Sequence, residues 1–85
     1  MATLLTIGKC RVVVFSDDHP HPAHVHVFCA ECASKWELDP LRCVQHRGCD
    51  KGTLRRIGIV LINRMDEILE RWHAHWNERK NLGRE

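Results

Sequence analysis

Four histidines, His19, His21, His24 and His26, crowd into the run Asp17 to Phe28. Imidazole is the side chain that most readily changes charge near neutral pH, and it is the commonest metal ligand, so the cluster points to proton transfer or ligation. From Ala23 to Cys29 residues alternate, with Ala23, Val25, Val27 and Cys29 on one face and His24, His26 and Phe28 on the other. On an extended strand His24 and His26 stand about 6.6 Å apart, close enough to flank one phosphate or share one metal ion. If the phosphate belongs to RNA, one imidazole takes the 2′-hydroxyl proton and the other protonates the leaving oxygen, a metal-independent ribonuclease chemistry. Developing charge on that phosphate needs cations, and Arg55 and Arg56 offer them at the start of a helix whose dipole already favours an anion. The catalytic set expected is therefore His24, His26, Arg55 and Arg56. The plainer alternative is that His19 and His21, each followed by proline, are turn residues, and that the strand histidines are inert.

A second constellation is Cys29-Ala30-Glu31-Cys32, followed by Cys43, His46 and Cys49 at three-residue steps. Four ligands and a spare in two clusters resemble a structural zinc site. The competing reading is that cysteine is a common core residue. Five cysteines, an odd number, fit reduced thiols or metal ligands better than a disulfide framework, and Cys10 lies outside the zinc set either way. No cofactor is required by the histidine chemistry; a structural zinc is the one metal the pattern suggests.

These side chains must be held by a domain of only 85 residues, small enough that its core is limited and a metal or partner would add needed stability. Thr3 to Ile7 and Cys10 to Ser16 are β-branched runs joined by Gly8-Lys9, a turn with glycine first as type II′ prefers. After the histidine strand, Lys35 to Leu38 and Leu41 to Val44 form a second hairpin split by Asp39-Pro40. Gly48 and Gly52 mark a loop. Thr53 is a plausible N-cap for a helix reaching about Glu78, with Leu54, Ile57, Leu61, Met65, Ile68, Leu69, Trp72 and Trp76 in one apolar stripe. The expected fold class is α+β, a small antiparallel sheet of four to five strands followed by one long C-terminal helix. The whole chain, 1–85, reads as a single domain with sheet 3–45, basic loop 46–52, helix 53–78 and a frayed tail 79–85.

That helix would be about 39 Å long, more than a small sheet covers, so Trp72 and Trp76 are candidate interface anchors, for a partner or a homodimer through the helix. Their alternative is a core stripe that happens to be aromatic. A formal net charge of +2 demands no nucleic acid, yet Arg42, Arg47, Lys51, Arg55 and Arg56 concentrate charge against the lone Asp50, making Arg47 a candidate anion contact. The N-terminus has no signal-peptide pattern and no apolar run reaches membrane-spanning length, which points to a cytoplasmic protein with no membrane partner.

The run Asp18-His19 through Pro22-Ala23-His24-Val25-His26-Val27, preceded by Phe15-Ser16 and followed by strand, turn and helix, resembles the bacterial domain-of-unknown-function family 4160 over nearly the whole chain. His19, Pro22, His24 and His26 match its motif, whereas glycines are common there where Cys29 to Cys32 stand here. The resemblance implies a cognate small protein of the family numbered 2442, encoded by a neighbouring gene, in a toxin–antitoxin-like arrangement. On that footing the chain is expected to be a subunit of a bacterial two-component module, as the toxin half acting on RNA; the alternative is a non-enzymatic zinc-stabilised module contacting nucleic acid or a partner protein.

Overall fold

The computed structural model describes residues 2–15 and 22–82, with side chains described as far as Asn77. Among the described residues five strands, β1 (Ala2–Ile7), β2 (Cys10–Val14), β3 (His24–Phe28), β4 (Ala33–Leu38) and β5 (Leu41–Arg47), precede two helices, α1 (Lys51–Asn63) and α2 (Met65–Leu82). The strands form one antiparallel sheet in chain order, so each pairs with its sequence neighbour.

The turns explain the pairing. Gly8 adopts φ +57 between the paired ends Ile7 and Cys10, a left-handed conformation at the first turn position that glycine takes without steric cost. A register shift between Thr3 and Leu5 lets the consecutive residues Leu4 and Leu5 both be buried. A second shift, opposite Lys35 and Trp36, leaves Val44 exposed on β5.

Alternation along the strands separates two faces. The core face carries Val12, Val14, Val25, Val27, Trp36 and Leu38, and both helices cover it through Ile57, Leu61, Ile68 and Trp72. Gly58 lets α1 approach closely: a Cβ there would meet the Trp36 ring at 3.3 Å. The Trp36 indole N–H donates to Ser34 Oγ at 2.9 Å and the Trp72 indole N–H to the His24 carbonyl at 3.2 Å, so both of these core indoles keep a polar partner. Neither helix lies on the opposite, outer face.

The single long helix expected over 53–78 is not formed. Arg64 leaves the helical region (φ −116, ψ 21), ending α1 and opening α2 one residue later. Its side chain bonds Glu67 through Nε at 3.0 Å, and its carbonyl accepts from Ile68, so the break costs few hydrogen bonds. The bend lets each helix follow its own contact: α1 packs against β5, while α2 packs against β1, where Arg71 donates to the Leu4 carbonyl at 2.6 Å. The excess helix length is accommodated by this bend. Trp72, expected at an interface, is 5% exposed in the core, and Trp76 packs half-buried against that core.

The N-cap is Asp50 rather than Thr53: its carboxylate accepts the Thr53 backbone N–H at 2.7 Å. The basic loop expected over 46–52 shrinks to 48–50, because β5 runs through Arg47 and α1 begins at Lys51. Of the tail expected to fray from Arg79, the backbone is helical to Leu82 and 83–85 lies outside the described residues. Among the described residues no helix is long and apolar enough to cross a membrane.

The expectation that an odd cysteine count argues against a disulfide framework is also corrected. Cys10 is bonded to Cys29 and Cys32 to Cys49, leaving Cys43 as the free thiol. The pairing follows from register: with Arg11 opposite Phe28, the next pair outward is Cys10 and Cys29.

Candidate functional site

Because Val25 and Val27 point into the core, His24, His26 and Phe28 must emerge on the outer face. They form a row there. The His24 and His26 ring centroids are 5.5 Å apart, and His26 and Phe28 lie 6.3 Å apart with planes within 9° of parallel, the spacing of alternate residues on a strand. Phe15, just beyond β2, sets its ring edge-on to both, 4.7 Å from His26 and 6.0 Å from Phe28.

The two histidines differ in access. His24 is 9% exposed, whereas His26 is half-buried. His24 Nδ1 lies 2.9 Å from the Pro22 carbonyl. A carbonyl can only accept, so Nδ1 carries the proton, and the motif proline has a definite structural role, turning the chain so that its own carbonyl orients the next-but-one imidazole. His19 and His21 lie outside the described residues.

Strand pairing adds cations to the row. Arg11 stands opposite Phe28, Lys35 opposite His26 and Gln45, and Arg47 opposite Ala33, which itself pairs with Phe28. His26, Phe28, Lys35, Gln45 and Arg47 line a concavity of about 360 Å³. Glu37, opposite His24, is the acid this face carries among the described residues, and Arg42 holds it at 2.8 Å. Arg47 thus joins the histidine row. Phe15 and Lys35 are not singled out by the sequence. Phe28 falls on the histidine face without a role there, though the alternation that displays the histidines displays it equally.

Arg55 and Arg56 do not join. Arg56 lines a different concavity, with Val12, Val27, Ile57 and Leu61 on the core face, and α1 packs on that side. The sheet therefore stands between the helix N-terminus and the imidazoles. The thiol set is likewise dispersed: Cys29 and Cys32 belong to separate disulfides, Cys43 sits opposite Trp36 with Sγ 3.4 Å from the Gln45 carbonyl, and His46 is exposed opposite Ser34. With the sulfurs so paired, the described residues contain no group of three or more His, Cys, Asp or Glu side chains arranged to hold a metal ion.

Such a molecule is a small α+β domain whose sheet buries one face under helices and presents aromatic rings, an accessible imidazole and cations on the other. The chain belongs to the family described as a domain of unknown function, DUF4160, whose model matches residues 10–73, from the start of β2 into α2. No curated protein and no solved structure matches the chain.

Proposed function

We propose that the chain is the RNA-contacting subunit of a bacterial two-component module of toxin–antitoxin type, binding single-stranded RNA across the outer face of its sheet. The observation that carries this reading is the contact among Phe15, His26 and Phe28 on a sheet face that neither helix covers, with Arg11, Lys35 and Arg47 placed around them by strand register. Unpaired bases stack on aromatic and imidazole rings, while arginine and lysine take the phosphates. A duplex hides its base faces inside the stack and offers these rings nothing. The two-component arrangement follows from the family resemblance, with the cognate small protein as partner.

The accessible geometry favours binding over cleavage by two imidazoles. Acid–base catalysis needs both groups within hydrogen-bond reach of one substrate, and His24 is nearly buried with Nδ1 committed to Pro22. His26 is the more accessible imidazole of the two. The test is anisotropy of fluorescent oligonucleotides: single-stranded RNA is expected to bind more tightly than a duplex of the same sequence, and Phe28→Ala to weaken it. Equal affinity for both forms, or none for either, overturns the proposal. Co-expression with the neighbouring gene checks the module: growth arrest relieved by the partner supports it, and harmless expression without co-purification counts against it.

A further inference from the structure

Four of the five cysteines converge at one end of the sheet, on the side the helices cover. Cys29 and Cys32 flank the two-residue turn between β3 and β4, which the Cys29 N–H closes by donating to the Cys32 carbonyl at 2.9 Å. Cys10 comes from the neighbouring strand, its Cα 4.1 Å from that of Cys29. Cys49 comes from the connection between β5 and α1, its Cα 5.0 Å from that of Cys32.

That last approach depends on Gly48. Its φ is +79, and a Cβ there would stand 2.9 Å from the Glu31 carbonyl oxygen, so only glycine lets the connection press against the turn and deliver the buried Cys49. Strand alternation sets Cys10 in the row of Val12 and Val14, Cys29 in that of Val25 and Val27, and Cys32 in that of Ser34 and Trp36. Three separate segments thus aim sulfur at one place, around a Cys-x-x-Cys turn.

We infer that Cys10, Cys29, Cys32 and Cys49 are the ligands of a tetrathiolate zinc site, and that the two disulfides are the oxidised form of that same site. A Cys-x-x-Cys turn completed by two distant cysteines is an arrangement that structural zinc uses, and an all-thiolate set selects zinc over hard cations such as magnesium or calcium. With zinc–sulfur bonds of about 2.3 Å, tetrahedral sulfurs stand about 3.8 Å apart, so opening each pair needs side-chain adjustment rather than a new backbone. Each disulfide takes two electrons and two protons from a dithiol reductant, which becomes a disulfide itself, and yields two thiols. One zinc ion then displaces the four thiol protons to solvent, leaving a complex of net charge −2.

The surroundings suit such an anion. Lys9 and Thr53 line the concavity beside Cys29 and Cys32, and Arg56 lines the one beside Cys10 and Cys29, all at the N-terminal end of α1, where the dipole lowers the cost of thiolate. Glu31 and Asp50 share the first concavity and offset part of that field. Relative to the ligand set the sequence suggests, Cys10 replaces Cys43 and His46, which lie further along β5. Because the outer sheet face takes no part, the site stands or falls independently of RNA binding.

The test uses the full chain reduced with a phosphine and titrated with zinc or cobalt, read by native mass spectrometry and by the visible absorption of tetrahedral cobalt thiolate. One metal per chain is expected, with full binding retained in Cys43→Ser and stoichiometric binding lost in Cys10→Ser and Cys49→Ser. Cys10→His, which keeps a ligand at that position, is expected to restore it. Reduced wild type that takes up no metal overturns the inference, as does a Cys10→Ser or Cys49→Ser chain that binds as much as wild type. Should the serine variants fail to fold, the wild-type titration and the Cys10→His variant decide the matter alone.

Discussion

Cations and rings on the outer face make separable contributions to RNA binding, and their separation gives the sharpest test of the functional reading. Arg11, Lys35 and Arg47 are the cations that strand register places around the ring cluster, while Arg42 is engaged with Glu37 and is left out of the sum. Each phosphate neutralised on a single strand contributes about −0.7 to the slope of log affinity against log salt, so three cations predict a slope of about −2.1. Raising salt fourfold, from about 50 to about 200 mM, then weakens binding about 20-fold. Arg47→Ala should reduce the slope to about −1.4 and that loss to about 7-fold. Phe28→Ala should leave the slope unchanged and shift the whole line, since one base–aromatic stack is worth about 1 to 3 kcal/mol, or about 5- to 150-fold in affinity. The assay is oligonucleotide anisotropy repeated across a salt series for wild type and each variant. A slope untouched by Arg47→Ala, or one that flattens instead with Arg55→Ala and Arg56→Ala across the sheet, refutes the assignment of this face.

Other expectations concern the scaffold. Ser34→Ala strands the buried Trp36 indole N–H and should cost about 1 to 3 kcal/mol in denaturant unfolding, whereas Ser34→Thr, which keeps the hydroxyl, should recover part of it. Leu61→Ala, at a fully buried position, should cost about 2 to 5 kcal/mol, while Ile62→Ala, 62% exposed on the same helix, should stay within about 0.5 kcal/mol. The Thr53 backbone N–H, then the Thr53 hydroxyl, hold the Asp50 carboxyl below its ordinary range despite a small opposing effect of burial. A carboxyl whose pKa is depressed by folding stabilises fully above its unfolded value, near 3.8, and that stabilisation is lost as pH falls through the folded value. Circular dichroism of wild type should therefore show helix stability falling on acidification, and Asp50→Asn, which keeps a cap acceptor without the charge, should flatten that slope.

The sheet is readable in the sequence because its strands are short alternating runs punctuated by glycine, proline and aspartate, and each pairs with the next along the chain. The bend at Arg64 is not, because neither glycine nor proline marks it and the apolar steps pass through it unbroken from Leu61 to Met65 and Ile68. The break goes with separate packing of α1 on β5 and α2 on β1, tertiary contacts that local propensity does not record. Cysteine partners are hidden for a related reason: Cys10 meets Cys29 only once the register of β2 and β3 is known. The separation of Arg55 and Arg56 from the histidines is in principle available. The alternation that shows His24 and His26 on one face assigns Val25 and Val27 to the other, and the apolar stripe of α1 has to cover valines. Cations facing the histidines must then come from the strands themselves, as Arg11, Lys35 and Arg47 do.

The contact between α2 and β1 closes the domain by joining the two ends of its element order. During synthesis the strand hairpins can pair one after another as they emerge, but Leu4 and Leu5 on β1 lack their helix cover until α2 has emerged and Arg71 can reach the Leu4 carbonyl. Until α2 appears the emerging sheet therefore carries an open greasy strip along β1, and its vulnerability to chaperones, proteases and self-association is concentrated in that interval.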